Sequence, residues 1–143
     1  MKRLKRKLEN AKALMPQPVL HRAAHPAPHG ALYFGSTAPA MNEAIAKLDA
    51  DGMPIDALRV RGYPFADSVL DFIDQHQQVL VVEQNRDAQL RALLIEQFEI
   101  DPARLVPILH YDGTPITARF IVRAIGERVH AAEGARLRDD KVA

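Results

Sequence analysis

The sequence predicts an α/β domain with three layers, in which helices cover both faces of a mostly parallel β-sheet. Two observations predict this class. Short apolar runs alternate with stretches whose apolar residues recur at helical spacing, and the connections between them are short. The run at residues 79–82 also lacks polar alternation, which is typical of a strand covered on both faces. Together they favour repeated strand–helix units.

Four such units follow one another along the chain. Strands are predicted at residues 31–34, 55–60, 79–82 and 105–109. The helical stripes consist of Met41, Ala44, Ile45 and Leu48, then Val69, Leu70, Phe72 and Ile73, then Leu90, Leu93, Leu94 and Phe98, then Phe120, Ile121, Ala124 and Ile125. Thr117 precedes the last stripe, where its hydroxyl is suited to cap the helix.

The predicted domain occupies residues 31–130, and a length of 143 residues fits one domain. Residues 1–30 are predicted to be a basic linker, because prolines should break any regular element after a short charged helix. His21, His25 and His29 lie among those prolines, and a solvated linker is favoured over a metal site. The charged tail at residues 131–143 is expected to be flexible and to fray.

Composition excludes several classes of function. The chain has no cysteine, so it can form no disulfide, thiolate nucleophile or cysteine-held iron–sulfur cluster. No apolar run reaches membrane length, and the basic start is not followed by the apolar stretch of a signal peptide. Residues 1–30 contain seven basic residues and a single acidic one, Glu9, but no nucleic-acid-binding motif accompanies this basic segment. We therefore expect a cytoplasmic protein without a nucleic-acid or membrane partner.

Gly35, Ser36 and Thr37 follow the first predicted strand and precede the first helix of the domain. Free backbone N–H groups at such a point can hold a phosphate or carboxylate. The alternative, which we favour, is a tight turn with a hydroxyl helix cap, since neither phosphate-loop nor dinucleotide glycine motifs are present.

Arg59 and Arg61 lie two residues apart at the end of the second strand, so their side chains are expected on the same side. They could grip an anionic substrate or an acidic partner. Tyr63, Pro64 and Phe65 would then form a turn over the sheet edge. A surface pair beside a packed aromatic turn is an equally good interpretation.

Glu83 ends the third strand and could act as a general base if burial raised its pKa. Arg86 and Asp87 favour a structural network instead, in which Glu83 is paired and Asn85 or Asp87 caps the following helix.

His110 and Asp112 follow the fourth strand, where Asp112 and Gly113 are typical of a turn, so a packed His110 is favoured over a base. In a parallel sheet these motifs share the carboxyl edge, where ligands are usually bound. The candidate interface or ligand-contact residues are Gly35, Ser36, Thr37, Arg59, Arg61, Tyr63, Glu83, Gln84, Asn85, Arg86, Gln89 and Asp112. No catalytic residue and no metal ligand is predicted.

Four of these segments occur in an order and spacing that resemble one family. They are residues 35–37 with Glu43 and Ala44, residues 58–65, residues 82–90 and residues 111–117. Over residues 31–125 the chain resembles the C-terminal domain of the alpha subunit of 2-oxoacid:ferredoxin oxidoreductases of the 2-oxoglutarate or pyruvate type. That resemblance implies a transketolase C-terminal-like fold.

In that family, thiamine diphosphate attacks the 2-oxo carbon, carbon dioxide leaves, iron–sulfur clusters take the electrons and coenzyme A takes the acyl group. The resemblance implies thiamine diphosphate, Mg²⁺ and an iron–sulfur cluster for the full complex. It implies none of them for this chain, which lacks the pyrimidine- and pyrophosphate-binding domains and the Gly-Asp-Gly motif.

Three hypotheses follow from these observations. The preferred one is a non-catalytic C-terminal domain that supports assembly with the other domains or subunits of such an oxidoreductase. The second is a free-standing regulatory module that binds an anion or acyl-CoA. The third is a small enzyme that uses Glu83 or His110. Exposed apolar surface would also make self-association into a homo-oligomer plausible.

Overall fold

The structure, a computed structural model, describes residues 2–142. Two single 3₁₀ turns, Gly35–Thr37 and Pro102–Arg104, accompany the helices and strands. The helices are α1 (Lys2–Lys12), α2 (Ala38–Ala50), α3 (Asp67–Asp74), α4 (Gln89–Phe98) and α5 (Ala118–Val142). The strands are β1 (Val19–His21), β2 (His29–Phe34), β3 (Asp56–Val60), β4 (Gln78–Glu83) and β5 (Leu105–Leu109).

The five strands form one sheet in the order β1-β3-β2-β4-β5. β2, β3, β4 and β5 are parallel, and β1 joins β3 antiparallel. At the centre, Leu32 lies opposite Leu58 on one side and Val81 on the other. The predicted three-layer α/β class and the four predicted strands are confirmed.

Each face of the sheet is covered by a separate apolar cluster. One cluster packs α2 and α5 against the sheet and includes Met41, Leu48, Leu80 and Ile121. The other packs α3 and α4 against the opposite face and includes Leu32, Phe72, Val79 and Leu94. Successive strand residues alternate between the clusters because side chains alternate across a strand. Each fully buried Leu or Phe contributes about 1.5–3 kcal/mol to folding.

The predicted linker differs from the structure between residues 19 and 23. We expected no regular element there, yet Val19 and His21 pair with Arg59 and Ala57 as an edge strand. Pro18 lies just outside this strand and so removes none of its hydrogen bonds. His29 belongs to the buried start of β2, and burial lowers the pKa of its ring. The described residues contain no cluster of three His, Cys, Asp or Glu that could hold a metal ion.

The last helix is longer than expected. α5 extends to Val142, through nearly all of the segment predicted as a flexible tail. Ala, Leu and Arg in that segment favour helix strongly enough to offset the cost of about 1 kcal/mol at Gly134. The predicted cap at its start is confirmed, since the Phe120 N–H donates to Thr117 Oγ1 at 3.2 Å. No helix in the described part of the chain is both long and apolar enough for a membrane crossing.

Gly30 in β2 lies directly against the side chains of Phe72 in α3 and of His76, just after that helix. A Cβ at this position would lie 2.8 Å from two ring atoms of Phe72 and 3.1 Å from His76 Cγ. Both rings are buried, so neither can turn aside without disturbing its neighbours. We expect Gly30→Ala to lower the free energy of unfolding in urea by about 1–3 kcal/mol through overpacking. Gly134→Ala, at a position where a Cβ would contact no other atom, should instead raise the free energy of unfolding.

Candidate functional site at the carboxyl edge of the sheet

All four predicted segments follow the carboxyl ends of parallel strands. β2, β3, β4 and β5 end at Phe34, Val60, Glu83 and Leu109, so the segments after them emerge at the same edge of the sheet. This edge is where parallel α/β sheets usually bind ligands. Some side chains along this edge are buried and hydrogen-bonded within the domain, whereas others are exposed to solvent.

The carboxylate of Glu83 is entirely used within the domain. Its side chain has no exposed surface. Oε2 accepts the Leu90 N–H at 2.8 Å and the amide of Asn85 at 2.7 Å, while Oε1 accepts the Arg91 N–H at 2.9 Å. The negative charge therefore sits at the N-terminus of α4, where free N–H groups and the helix dipole stabilise it. Glu83 is an internal helix cap and is closed to a substrate.

Asn85 completes the same cap, as one of the two residues predicted for it. Its side-chain oxygen accepts the N–H groups of Asp87 at 3.1 Å and Gln89 at 3.2 Å. The chain then passes through Ala88 in the left-handed conformation, at a φ of 51°. Arg86 does not reach Glu83 as we expected; it forms an exposed pair with Asp87 at 3.0 Å. The expected pairing of Arg86 with Glu83 is absent because the tight turn leaves the side chains of Arg86 and Asp87 in solvent.

Gln84 connects three segments of the edge, a role that the sequence did not reveal. Its amide nitrogen donates to Ser36 Oγ at 3.0 Å and Thr37 Oγ1 at 3.3 Å. Its oxygen accepts the N–H of Ile116 at 3.2 Å, just before α5. Contacts across more than thirty residues leave no local sequence signal.

The turn of Gly35, Ser36 and Thr37 lacks the features of an anion site. Its two hydroxyls bind Gln84, and Pro39 in the first turn of α2 has no N–H to offer. The expected hydroxyl cap is also absent, because Thr37 makes no side-chain bond to the helix it precedes. Gly35 has a φ of 58°, a value that explains the choice of glycine.

His110 is a packed, hydrogen-bonded group, as the favoured interpretation held. Its Nε2 lies 2.9 Å from the Thr114 carbonyl oxygen and 3.2 Å from Asp112 Oδ1, and its ring packs edge-on against Phe120. The hydroxyl and N–H of Thr114 donate to Asp112 and lower the pKa of that carboxyl. These bonds engage Nε2 of His110 in the turn that follows β5.

A cleft of about 480 Å³ opens at this edge, between the ends of β2 and β3 and the start of α4. We call it the edge cleft. Its lining includes Phe34, Arg59, Arg61, Tyr63, Gln89 and Leu93. Phe34 and Tyr63 are 41% and 48% exposed, and no acidic residue lines the cleft. The edge cleft thus has an open apolar wall, and Arg59 and Arg61 are the charged residues in its lining.

The aromatic turn below the edge cleft is held firmly. Tyr63 meets Phe65 edge to face, with ring centroids 5.2 Å apart. Gln97 of α4 donates to the Phe65 carbonyl and accepts the Phe65 N–H, both at 2.8 Å. These two hydrogen bonds fix the turn against α4, although Phe65 and Gln97 are 32 positions apart in the chain.

The edge cleft gathers some of the predicted residues and leaves others out. Five of the predicted residues line it: Gly35, Arg59, Arg61, Tyr63 and Gln89. Four others form hydrogen bonds with one another or with neighbouring backbone: Ser36, Glu83, Gln84 and Asn85. The remaining charged residues, Arg86 and Asp112, bind residues one or two positions away in the chain. The sequence analysis placed Phe34 in a strand and Leu93 in a helical stripe, but it predicted neither as a contact residue of the site. Both could have been found as apolar residues at positions where a strand ends and where a helix stripe is widest.

The donor set does not fit the cofactors that the resemblance implies for a full complex. The chain has no cysteine for an iron–sulfur cluster. Among its described residues, no group of three His, Cys, Asp or Glu side chains lies together where it could hold a metal ion.

No protein-family model and no curated protein matches this sequence. Solved structures do share its architecture. Over 83% of this chain it superposes on 2-oxoglutarate:ferredoxin oxidoreductase from Magnetococcus marinus, solved with 2-oxoglutarate, coenzyme A and succinyl-CoA bound, with a TM-score of 0.71 and 23% identity. Over 78% it matches a split-gene transketolase, an inactive beta4 tetramer, with a TM-score of 0.60 and 19% identity.

The chain has a transketolase C-terminal-like fold. The predicted resemblance is thereby confirmed at the level of the fold. A further match, to the alpha chain of a probable 2-oxoacid ferredoxin oxidoreductase from Thermoplasma acidophilum, covers 80% of this chain with a TM-score of 0.52 and 22% identity.

The share of each neighbour that is covered differs widely. This transketolase C-terminal-like domain spans 21% of the Magnetococcus marinus chain and 40% of the transketolase chain, but 97% of the Thermoplasma acidophilum alpha chain. The fold therefore occurs both inside long chains and as nearly the whole of a short one.

Proposed function

We propose that this chain is a C-terminal domain or alpha subunit of a 2-oxoacid:ferredoxin oxidoreductase, and that it supports assembly rather than catalysis. The observation that carries the proposal is the fold, shared over 83% of the chain with a 2-oxoglutarate:ferredoxin oxidoreductase. The complex would be cytoplasmic. Thiamine diphosphate, Mg²⁺ and iron–sulfur clusters would be bound by its other parts.

The closed network around Glu83 supports the non-catalytic half of the proposal. Glu83 is the one acidic residue in the described chain without exposed surface, and its oxygens already accept three hydrogen bonds. Nε2 of His110 likewise lies within hydrogen-bond distance of Thr114 and Asp112. Both groups named in the enzyme hypothesis therefore serve the fold, which argues against a small independent enzyme.

Exposed apolar side chains at the carboxyl edge support a docking role. Phe34, Tyr63 and Leu93 are 41%, 48% and 36% exposed and line the same cleft. Tyr111, in the segment after β5, is 62% exposed. Apolar groups gathered at one edge commonly mark a contact surface with a protein partner. Partner subunits would cover this edge in the complex.

A tagged copy of the chain, isolated from its own cells, is expected to carry the thiamine-binding subunits of a 2-oxoacid oxidoreductase in about equal amounts. Mass spectrometry of the isolated material measures this. The double variant Phe34→Ser, Tyr63→Ser should lose those subunits, because two apolar contacts at the centre of the surface are removed.

Leu137→Ser is the matched control, since Leu137 is 64% exposed but lies near the far end of α5. It should retain the subunits. Recovery of the chain without any oxidoreductase subunit, or equal recovery with the double variant and the wild type, would refute the docking proposal. The alternative, a free-standing module that binds an anion or acyl-CoA, has the arginines of the edge cleft in its favour.

A further inference from the structure

We infer that the free edge of β5 is closed to strand addition, so that neither a second copy of this chain nor a strand of another protein extends the sheet there. β5 is the last strand of the sheet in the described part of the chain, and β4 pairs with one side of it. Backbone groups at such an edge normally offer a place for a strand from another molecule. The inference concerns a different side of the domain from the edge cleft and does not depend on the proposed assembly role.

The hydrogen bonds between β4 and β5 show which backbone groups of β5 point away from the sheet. Leu109 lies opposite Glu83, and the His110 N–H donates to the Glu83 carbonyl oxygen at 2.9 Å. Because the backbone groups of successive residues point to alternate sides of a strand, those of Leu109 point away from β4. The same alternation directs the backbone groups of Leu105 and Pro107 outward.

A proline in the middle of β5 removes the central donor of this outward row. Pro107 lies opposite Val81 in the ladder, between the outward-facing Leu105 and Leu109. Proline has no N–H, and a sheet tolerates it where the missing donor would face away from the neighbouring strand. An incoming strand would therefore find no N–H at the centre of β5.

Both backbone groups of Leu105 are already bonded within the domain. Its N–H donates to the Pro102 carbonyl oxygen, in the 3₁₀ turn that precedes β5. Its carbonyl oxygen accepts a hydrogen bond from Arg91 Nε at 2.7 Å. Bonds from a charged donor are stronger than those between neutral groups, so an incoming strand would not displace the guanidinium readily.

The side chain of Arg91 is fixed in position for this bond. Its backbone N–H donates to Glu83 Oε1 at 2.9 Å, within the cap of α4. Its Nη2 donates to the Pro102 carbonyl oxygen at 2.8 Å, so the guanidinium binds two carbonyl groups beside the edge of β5. The N–H groups of a guanidinium lie in a rigid plane, which favours such a two-point contact. Arg91 thereby keeps the Leu105 carbonyl group from an incoming strand.

An antiparallel pair of two β5 strands shows what these features prevent. With Pro107 opposite its equivalent in the second copy, the hydrogen-bonded pairs would be Pro107 with Pro107 and Leu105 with Leu109. Every bond of that pairing needs either a Pro107 N–H, which does not exist, or a backbone group of Leu105, which is occupied. A strand of another protein would be left with the Pro107 carbonyl group and the backbone groups of Leu109.

Sedimentation velocity of the full chain and of edge variants, over a range of concentrations, tests the inference. Pro107→Val restores the central N–H, and Arg91→Met frees the Leu105 carbonyl group. The double variant should self-associate about tenfold or more strongly than the wild type, or than the detection limit where the wild type stays monomeric. The matched pair Pro115→Val, Arg138→Met makes the same exchanges at exposed positions outside β5 and should sediment as the wild type does.

Amide hydrogen exchange of Pro107→Val in dilute solution, measured by NMR, tests the geometry separately. The new N–H at position 107 should exchange nearly as fast as an unstructured amide. The Ile108 N–H, which faces β4, should be protected by about a hundredfold or more.

The inference fails if the N–H at position 107 is protected as strongly as that of Ile108 in the monomer. It also fails if the double variant is folded by circular dichroism and self-associates no more than the wild type. Should the double variant unfold, Pro107→Val decides the question alone in the same two measurements. Neither measurement involves a partner subunit, so the result is separate from that of the docking experiment.

Discussion

Replacement of Glu83 by alanine is expected to lower the free energy of unfolding by about 3–5 kcal/mol. The variant loses the acceptor of the Leu90 and Arg91 N–H groups and of the Asn85 amide. Three buried or half-buried donors are then left without a partner, and a cavity opens where a fully buried side chain stood. Urea unfolding followed by circular dichroism measures the loss.

Glu83→Gln separates the contribution of the negative charge to stability from that of the side-chain volume. Glutamine keeps the volume but replaces one carboxylate oxygen by an NH₂ group that would face N–H donors, so about 2–3 kcal/mol of stability should be lost. Glu96→Gln on the exposed side of α4 removes the same charge and should change stability by less than about 0.5 kcal/mol. Near-normal stability of both Glu83 variants would contradict the role of Glu83 as the cap of α4.

Replacement of Asp56 by alanine should cost a similar amount, about 3–5 kcal/mol, at the opposite edge of the sheet. Asp56 is buried at the start of β3. Its carboxylate accepts hydrogen bonds from Arg22 Nη1 at 2.6 Å and the Ala23 N–H at 2.8 Å, and it lies 3.1 Å from His76 Nε2. The substitution leaves these groups unpartnered and frees the segment that leads from β1 into β2. Thermal unfolding measures the effect.

The stabilisation by Asp56 should disappear in acid. Burial alone would raise the pKa of its carboxyl, but the bonds from Ala23, Arg22 and His76 outweigh burial and lower that pKa. The unfolded state, with a carboxyl pKa of about 4, then binds the proton more readily than the folded state. The contribution is therefore complete above about pH 5 and is lost as the pH falls through the lower folded pKa.

Asp56→Asn tests this sign, because asparagine cannot titrate. The difference in stability between wild type and Asp56→Asn should narrow from pH 6 to pH 3. His29, whose pKa burial lowers, weakens both proteins below about pH 6.5 and cancels from the difference. Asp49→Asn on the exposed side of α2 should show no such narrowing. A constant difference across the range would rule out the assigned pKa direction.

The sequence predicted the sheet well because its strands and helices differ in apolar period. The uninterrupted run at residues 79–82 became the interior strand β4, covered on both faces. The spacing of Leu90, Leu94 and Phe98 became the buried or half-buried side of α4. These are local signals, and the hydrophobic effect acts on them in the same way in any chain of this class.

The candidate site was predictable only in outline. Parallel topology was enough to bring Arg61, Glu83 and Asp112 to one edge, but it could not say which of them face solvent. Glu83 turned inward because the free N–H groups of α4 lie within its reach. The bonds of Gln84 to Ser36 and Ile116 join distant segments and have no pattern in the sequence. The same holds for Asp56 and its partners in the first thirty residues.

The short antiparallel strand β1 has a consequence for where this domain can be cut. It occupies the edge of β3, and the residues that follow it deliver Arg22 and Ala23 to Asp56. A shortened chain that began at residue 31 would expose the N–H and C=O groups of β3 that now pair with β1. It would also leave the Asp56 carboxylate without Arg22 and Ala23. Open strand edges pair readily with other copies. We therefore expect such a shortened chain to aggregate more readily than the full chain.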